Sequence, residues 1–304
     1  FPTRRSSDLD PAAPVAAPQP AQTRPDRRIR LEPAMSVATR FHVIDLDPYV
    51  HQTLRLIEAC ETDAPGRYRR YRDPGREADA AWPSPYGTSN AANLLYTLGV
   101  FPREPSRRDA MIAALQEGQD RGTGSFADPD AGPDASPHRY HATAHCVAAL
   151  ELFDALPRHP LHEMLWFRDN DAVPRFLDSL DWVGDPWNES HRGAGLYASL
   201  KLAGDFDSPE AEAAWEDVYF GYLEGEFDER TGLLRRGSLP GQSPMSRPIH
   251  EHMAGTFHYL FNMEHARRPL PYPAAMVDSC LAMLDEDRCP DLATRLGFVT
   301  IDWV

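Results

Sequence analysis

Lysine is nearly missing from this chain of 304 residues: Lys201 is the one example, and arginine supplies the rest of the 31 basic side chains. Against them stand 46 acidic residues, for a formal charge of −15. A surface with that balance repels phosphate, which argues against duplex nucleic acid or an anionic membrane as partner. No uncharged apolar run approaches the roughly 20 residues that span a bilayer, so no transmembrane helix is expected. Four cysteines (Cys60, Cys146, Cys280 and Cys289) are too few and too scattered for a disulfide framework. They read as reduced, mostly buried thiols, and the expected location is the cytoplasm. No Gly-x-Gly-x-x-Gly, Walker-type loop, Gly-x-Ser-x-Gly or Cys-x-x-Cys occurs. Nucleotide-dependent, serine-hydrolase and dithiol redox chemistry therefore lack a motif.

What is there is an ordinary globular balance, 42% hydrophobic and 25% charged, in a length that suits one large domain or two average ones. Proline, at 29, runs at about twice its usual share. The ends read differently from the middle. Phe1 to Leu9 (FPTRRSSDL) resembles the translation of a common sequencing adapter and is set apart as an expected artefact. Residues 10–38 are Pro-, Ala- and Arg-rich without hydrophobic periodicity and are expected to be disordered, with Met35 a candidate start. The folded domain is expected over residues 39–304. The apolar run Phe298 to Val304 has no polar tail, and reads as a chain cut short.

From Thr39 onward apolar residues recur at three- and four-residue spacing, as in Val50-x-x-x-Leu54-x-x-Ile57, which predicts helices. An internal repeat organises them. Copy one runs from Trp82-Pro-Ser-Pro-Tyr86-Gly87 into Ala91-Ala92-Asn93-Leu94-Leu95. Copy two runs from Gly122-Thr-Gly124-Ser125-Phe126 into His141-Ala-Thr-Ala144-His145-Cys-Val-Ala148-Ala149-Leu150. Copy three runs from Trp182-Val-Gly184-Asp185-Pro186-Trp187 into Gly193-Ala194-Gly195. Copy four runs from Asp228-x-x-Thr231-Gly232-Leu233 into Ala254-Gly255-Thr256-Phe257-His258. The copies recur about every 50–60 residues, the spacing of stacked helical hairpins. Each has a Gly/aromatic loop and then a helix with small residues near its start. Outer-helix candidates lie between them, at Arg108 to Gly118, Val173 to Leu180, Ala211 to Glu224 and Pro273 to Leu284. A diverged first hairpin is expected around Asp47 to Arg70.

This grammar, and copy two above all, resembles the repeats of the protein prenyltransferase and terpenoid-cyclase superfamily, which read Gly-Gly-Phe, loop, His/Thr, then Ala-x-x-Ala-Leu. The resemblance implies an all-α fold, an α/α toroid of repeated hairpins forming an incomplete ring. It also implies a small or chain-like substrate in the central cavity, with the reaction unassigned. In that family an Asp-x-Cys pair and a His hold catalytic zinc. Asp278 and Cys280 match the pair and His141 resembles the third ligand, although here the His precedes the pair and Leu281 stands where the family has Tyr.

Glycan-active toroids (polysaccharide lyases and glycoside hydrolases) share the hairpin grammar, and they need acid/base groups with aromatic platforms. The run Asp185-Pro186-Trp187-Asn188-Glu189-Ser190-His191-Arg192 supplies these groups in a repeat loop. The candidate catalytic residues are His141, Asp185, His191, His252 and His258, with His145 beside them; Trp187, Arg192 and Tyr140 are the candidate substrate contacts. A third reading is a non-catalytic toroid that binds a ligand or partner. Convergence discriminates between them: an enzyme brings several of these side chains to one point, whereas a scaffold leaves them dispersed and satisfied locally.

Overall fold

The computed structural model describes residues 45–71, 84–126, 136–204, 206–284 and 302, with backbone alone for 136–138. The expectations for residues 1–44, for Trp82 and Cys289 and for the run 298–304 apart from Asp302 lie outside these residues. The chain divides after Asp45, and every helix among the described residues belongs to the unit from Leu46 onward.

Among the described residues the structure is all-helical, with isolated bridges but no strands. The helices are α1 (Asp47–Cys60), α2 (Pro85–Thr97), α3 (Pro105–Glu117), α4 (Ser136–Leu152), α5 (Ala172–Ser179), α6 (Pro186–Ala203), α7 (Pro209–Glu226), α8 (Ile249–His265) and α9 (Pro273–Ala282), with a short 3-10 helix at Leu165–Arg168. The four expected outer helices correspond to α3, α5, α7 and α9 within a few residues. Part of the proline surplus has a local use: α1, α2, α3, α6, α7 and α9 all carry Pro at the first or second position. There the missing N–H costs nothing and the fixed φ favours the helix. None of these helices is long and apolar enough to cross a membrane.

The even-numbered helices form a row in chain order, α2 against α4, α4 against α6 and α6 against α8. Small residues make the approach close. A Cβ on Gly255 of α8 would come within 2.7 Å of the Pro186 carbonyl, and one on Gly195 of α6 within 3.0 Å of the Tyr140 carbonyl. Aromatic side chains fill the space behind the row: Tyr197 of α6 stacks on Trp215 and Tyr219 of α7 at 5.0 and 4.4 Å. The buried core falls into a smaller cluster around α1 to α4 and a larger one from Leu161 to Met283.

One turn recurs before α2, α4 and α8 with the same bonds. The backbone N–H of Asp120 donates to Ser125 O and that of Asp228 to Leu233 O, at 2.9 Å each; before α2 the N–H of Thr62 donates to Arg67 O at 2.9 Å, so the turn there lies upstream of the Trp82 loop expected to open copy one. Asp120 and Asp228 each accept, through Oδ1, the backbone N–H and hydroxyl of a Thr three residues on. A left-handed glycine then follows, Gly124 (φ 77°) or Gly232 (φ 69°). Two residues further the N–H of Tyr68, Phe126 or Leu234 donates to Thr88 of α2, Thr143 of α4 or Thr256 of α8, at 3.2, 3.0 and 2.9 Å. The turn thus docks the loops before α2, α4 and α8 onto their own helices, with Asp-x-x-Thr-Gly in the latter two, which fixes where each helix presents its next residues. Copy three departs, using Asp181 to hold Gly184 N–H at 2.8 Å instead.

Candidate functional site

The even-numbered helices bring four histidines together. His141 and His145 of α4 have ring centroids 4.4 Å apart. His141 is 4.5 Å from His191 of α6, His191 is 4.2 Å from His258 of α8, and His141 and His258 lie 6.4 Å apart. The turn geometry accounts for the convergence. His145 and His258 each stand two residues after the docked threonine (Thr143 and Thr256), and His141 stands two before it.

Other groups border the imidazoles. Tyr86, in the first turn of α2, stacks on His145 at 5.1 Å and places its Oη 3.2 Å from His141 Nδ1. The Arg70 guanidinium lies 4.7 Å from the centroid of the Tyr86 ring. Trp187, at the start of α6, meets His191 edge-on at 5.1 Å, and its indole N–H donates to Asp302 Oδ2 at 3.0 Å. Ser190 Oγ lies 2.7 Å from His258 Nδ1.

His191 is buried, and His141, His145 and His258 are partly buried. Loss of water favours the neutral ring, so burial pushes His145 down to about 4, with the positive charge of Arg70 adding to it. His258 falls to about 2, through burial first and then the neighbouring His191 and His145, since a second charge beside the first is repelled. Burial acts oppositely on Asp302, raising its carboxyl to about 6 while the Trp187 N–H pulls it back. Among the described residues His145 Nδ1 is buried without a hydrogen bond, as are His252 Nδ1 and Tyr259 Oη. The result is a group of touching imidazoles, of which burial holds His145 and His258 neutral, bordering a phenol and a carboxyl.

Of the residues singled out in the sequence, His141, His145, His191, His258 and Trp187 converge. Asp185 sits at the N-cap position of α6 and accepts from Asn188 Nδ2 at 2.9 and 3.2 Å. Arg192 pairs with Glu189 at 2.9 Å and lies over Phe176 of α5. Tyr140 packs against the larger core cluster. His252 is fully buried in the first turn of α8, 2.8 Å from Ser246 Oγ, and burial holds it near 4. Asp278 is exposed on α9, where the neighbouring Ser279 bonds the Thr231 carbonyl at 2.9 Å, and Cys280 is half-buried with its thiol pushed up by burial. Among the described residues no three His, Cys, Asp or Glu side chains form a group that could hold a metal ion. The expected zinc set of His141, Asp278 and Cys280 is therefore not assembled. The reason is position: α9 docks on the Gly232 turn, and α4 packs between α2 and α6.

In the sequence Tyr86 reads as one more loop aromatic and Ser190 as a helix cap, and neither is marked as part of a site. No local pattern marks Asp302, whose place depends on folding across more than a hundred residues. Comparison of the chain with family models, with curated proteins and with solved structures gives no match.

Proposed function

We propose that this chain is an α/α-toroid enzyme that performs acid–base chemistry on a hydroxyl-rich, chain-like substrate, at Tyr86 and the histidines around it. One observation carries the reading: Tyr86 Oη lies 3.2 Å from His141 Nδ1 inside a group of touching imidazoles drawn from α4, α6 and α8. A non-catalytic scaffold has no use for three adjoining helices each placing His there.

Among reactions, elimination at a uronate-containing glycan fits better than zinc-activated alkyl transfer, whose ligand set is missing. Elimination needs a base to remove the proton beside the carboxylate, a cation to stabilise the charge that develops, and an acid for the leaving oxygen. His141 with Tyr86 supplies the proton-transfer pair, and Arg70 supplies the cation. The C–H electron pair becomes the new C=C bond as the glycosidic C–O bond breaks, and the departing oxygen takes a proton. The same reading places the protein in the cytoplasm, where scattered cysteines stay reduced.

The test is a panel of uronate polysaccharides and oligosaccharides, read by the ultraviolet absorbance of the unsaturated product, beside a panel of isoprenoid diphosphates. Turnover of a uronate glycan is expected, falling about 10²–10⁴-fold in Tyr86→Phe and in His141→Gln, the usual worth of a positioned acid or base. Turnover of an isoprenoid diphosphate alone would contradict the proposal.

A further inference from the structure

The hydroxyl of Ser190 has one proton, and its surroundings show where that proton goes. Oγ lies 2.5 Å from the Trp187 carbonyl oxygen one turn earlier in α6, and 2.7 Å from His258 Nδ1 on α8. A carbonyl oxygen can only accept, so the first contact uses the serine proton. The second then requires a proton on the imidazole side, at Nδ1. A neutral imidazole has a single N–H, so its Nε2 keeps a bare lone pair. That nitrogen makes no hydrogen bond among the described residues.

We propose that Ser190 is a positioning residue that holds His258 in the Nδ1–H tautomer, and so keeps Nε2 as a hydrogen-bond acceptor for a hydroxyl of the substrate. The inference rests on the site proposed above and narrows what it binds. A neutral acceptor lone pair attracts a hydroxyl or N–H and repels an anionic oxygen, so this corner of the site suits the uncharged hydroxyls of a sugar ring while the substrate's carboxylate lies elsewhere. It also separates this Ser–His contact from a nucleophile and its base. In such a pair the serine proton points at the imidazole; here the Trp187 carbonyl already holds it.

The experiment is two-bond proton–nitrogen NMR on the intact chain labelled with ¹⁵N-histidine at pH 7, with the His258 signals identified by their loss in His258→Gln. The expected pattern is a protonated Nδ1 and an unprotonated Nε2. Ser190→Thr, which keeps a hydroxyl, should preserve that pattern, and Ser190→Ala should shift the population toward the Nε2–H form. A wild-type His258 protonated on Nε2, or a Ser190→Ala spectrum identical to wild type, overturns the inference. The readout needs no turnover, so an inactive substrate panel would count against the proposed reaction and leave the tautomer result to stand or fall by itself.

Discussion

His145, His252 and His258 are held neutral by burial, and this ties stability to pH in a definite direction. Each has a folded value below the 6.5 of the free side chain, at about 4, 4 and 2. The unfolded chain therefore binds more protons than the folded one below about pH 6.5, and stability falls as pH drops from there toward 4. For His252, which is fully buried, the loss is on the order of 3 kcal/mol by pH 4. Asp302 works the other way: its carboxyl is raised from 3.8 to about 6, so its neutral form favours the fold at low pH and this contribution fades as pH rises through 6. Three histidines outweigh one carboxyl. Denaturant midpoints measured at pH 7, 5.5 and 4 are expected to decline steadily, and the decline should be shallower in His252→Gln. A flat profile would mean that these rings are solvated. At this scale the sequence is informative about residue type and silent about burial. Crowding of His in copies two and four is visible, whereas the choice between His258 in the cluster and His252 in a structural contact with Ser246 depends on helix phase.

The recurrent turn is the element that decides that phase. Thr143 and Thr256 each accept a buried N–H from the loop and donate to a carbonyl one turn back in their own helix, at 2.8 and 2.7 Å. Replacing either by Val conserves shape and strands the N–H of Phe126 or Leu234, at a cost of about 1–3 kcal/mol. Because the bonds are the same in both copies, Thr143→Val and Thr256→Val should lower stability by similar amounts in urea titrations. Strongly unequal losses would deny that the turns are equivalent. Gly124→Ala should cost more than either, since its Cβ would lie 1.9 Å from Pro160 O at a φ few side chains adopt. Much of this level is legible in the sequence. Glycine, aromatic and small-residue positions announce loop and inner helix, and the outer helices fall where apolar spacing puts them. The roles of Asp120 and of the threonines are not legible, because a lone Asp or Thr acquires meaning only once its hydrogen-bond partner, up to 22 residues away, is known.

For the whole molecule, the all-helical class follows from periodicity, and the chain-ordered row of α2, α4, α6 and α8 agrees with hairpins that share a core with their neighbours. Zinc ligation, inferred from three residues on α4 and α9, fails because a short string such as Asp-x-Cys says nothing about which helices meet. The four histidines meet instead where adjacent even-numbered helices pack, and there desolvation holds His145 and His258 neutral. The most direct test of that claim is an NMR pH titration of the individual histidine rings in the intact chain. The account predicts that His145 stays uncharged down to about pH 4 and His258 lower still, well below the value of roughly 6.5 at which a solvated imidazole takes up its proton. Independent titration of both rings at that solvated value would show them standing apart in water, and would contradict it.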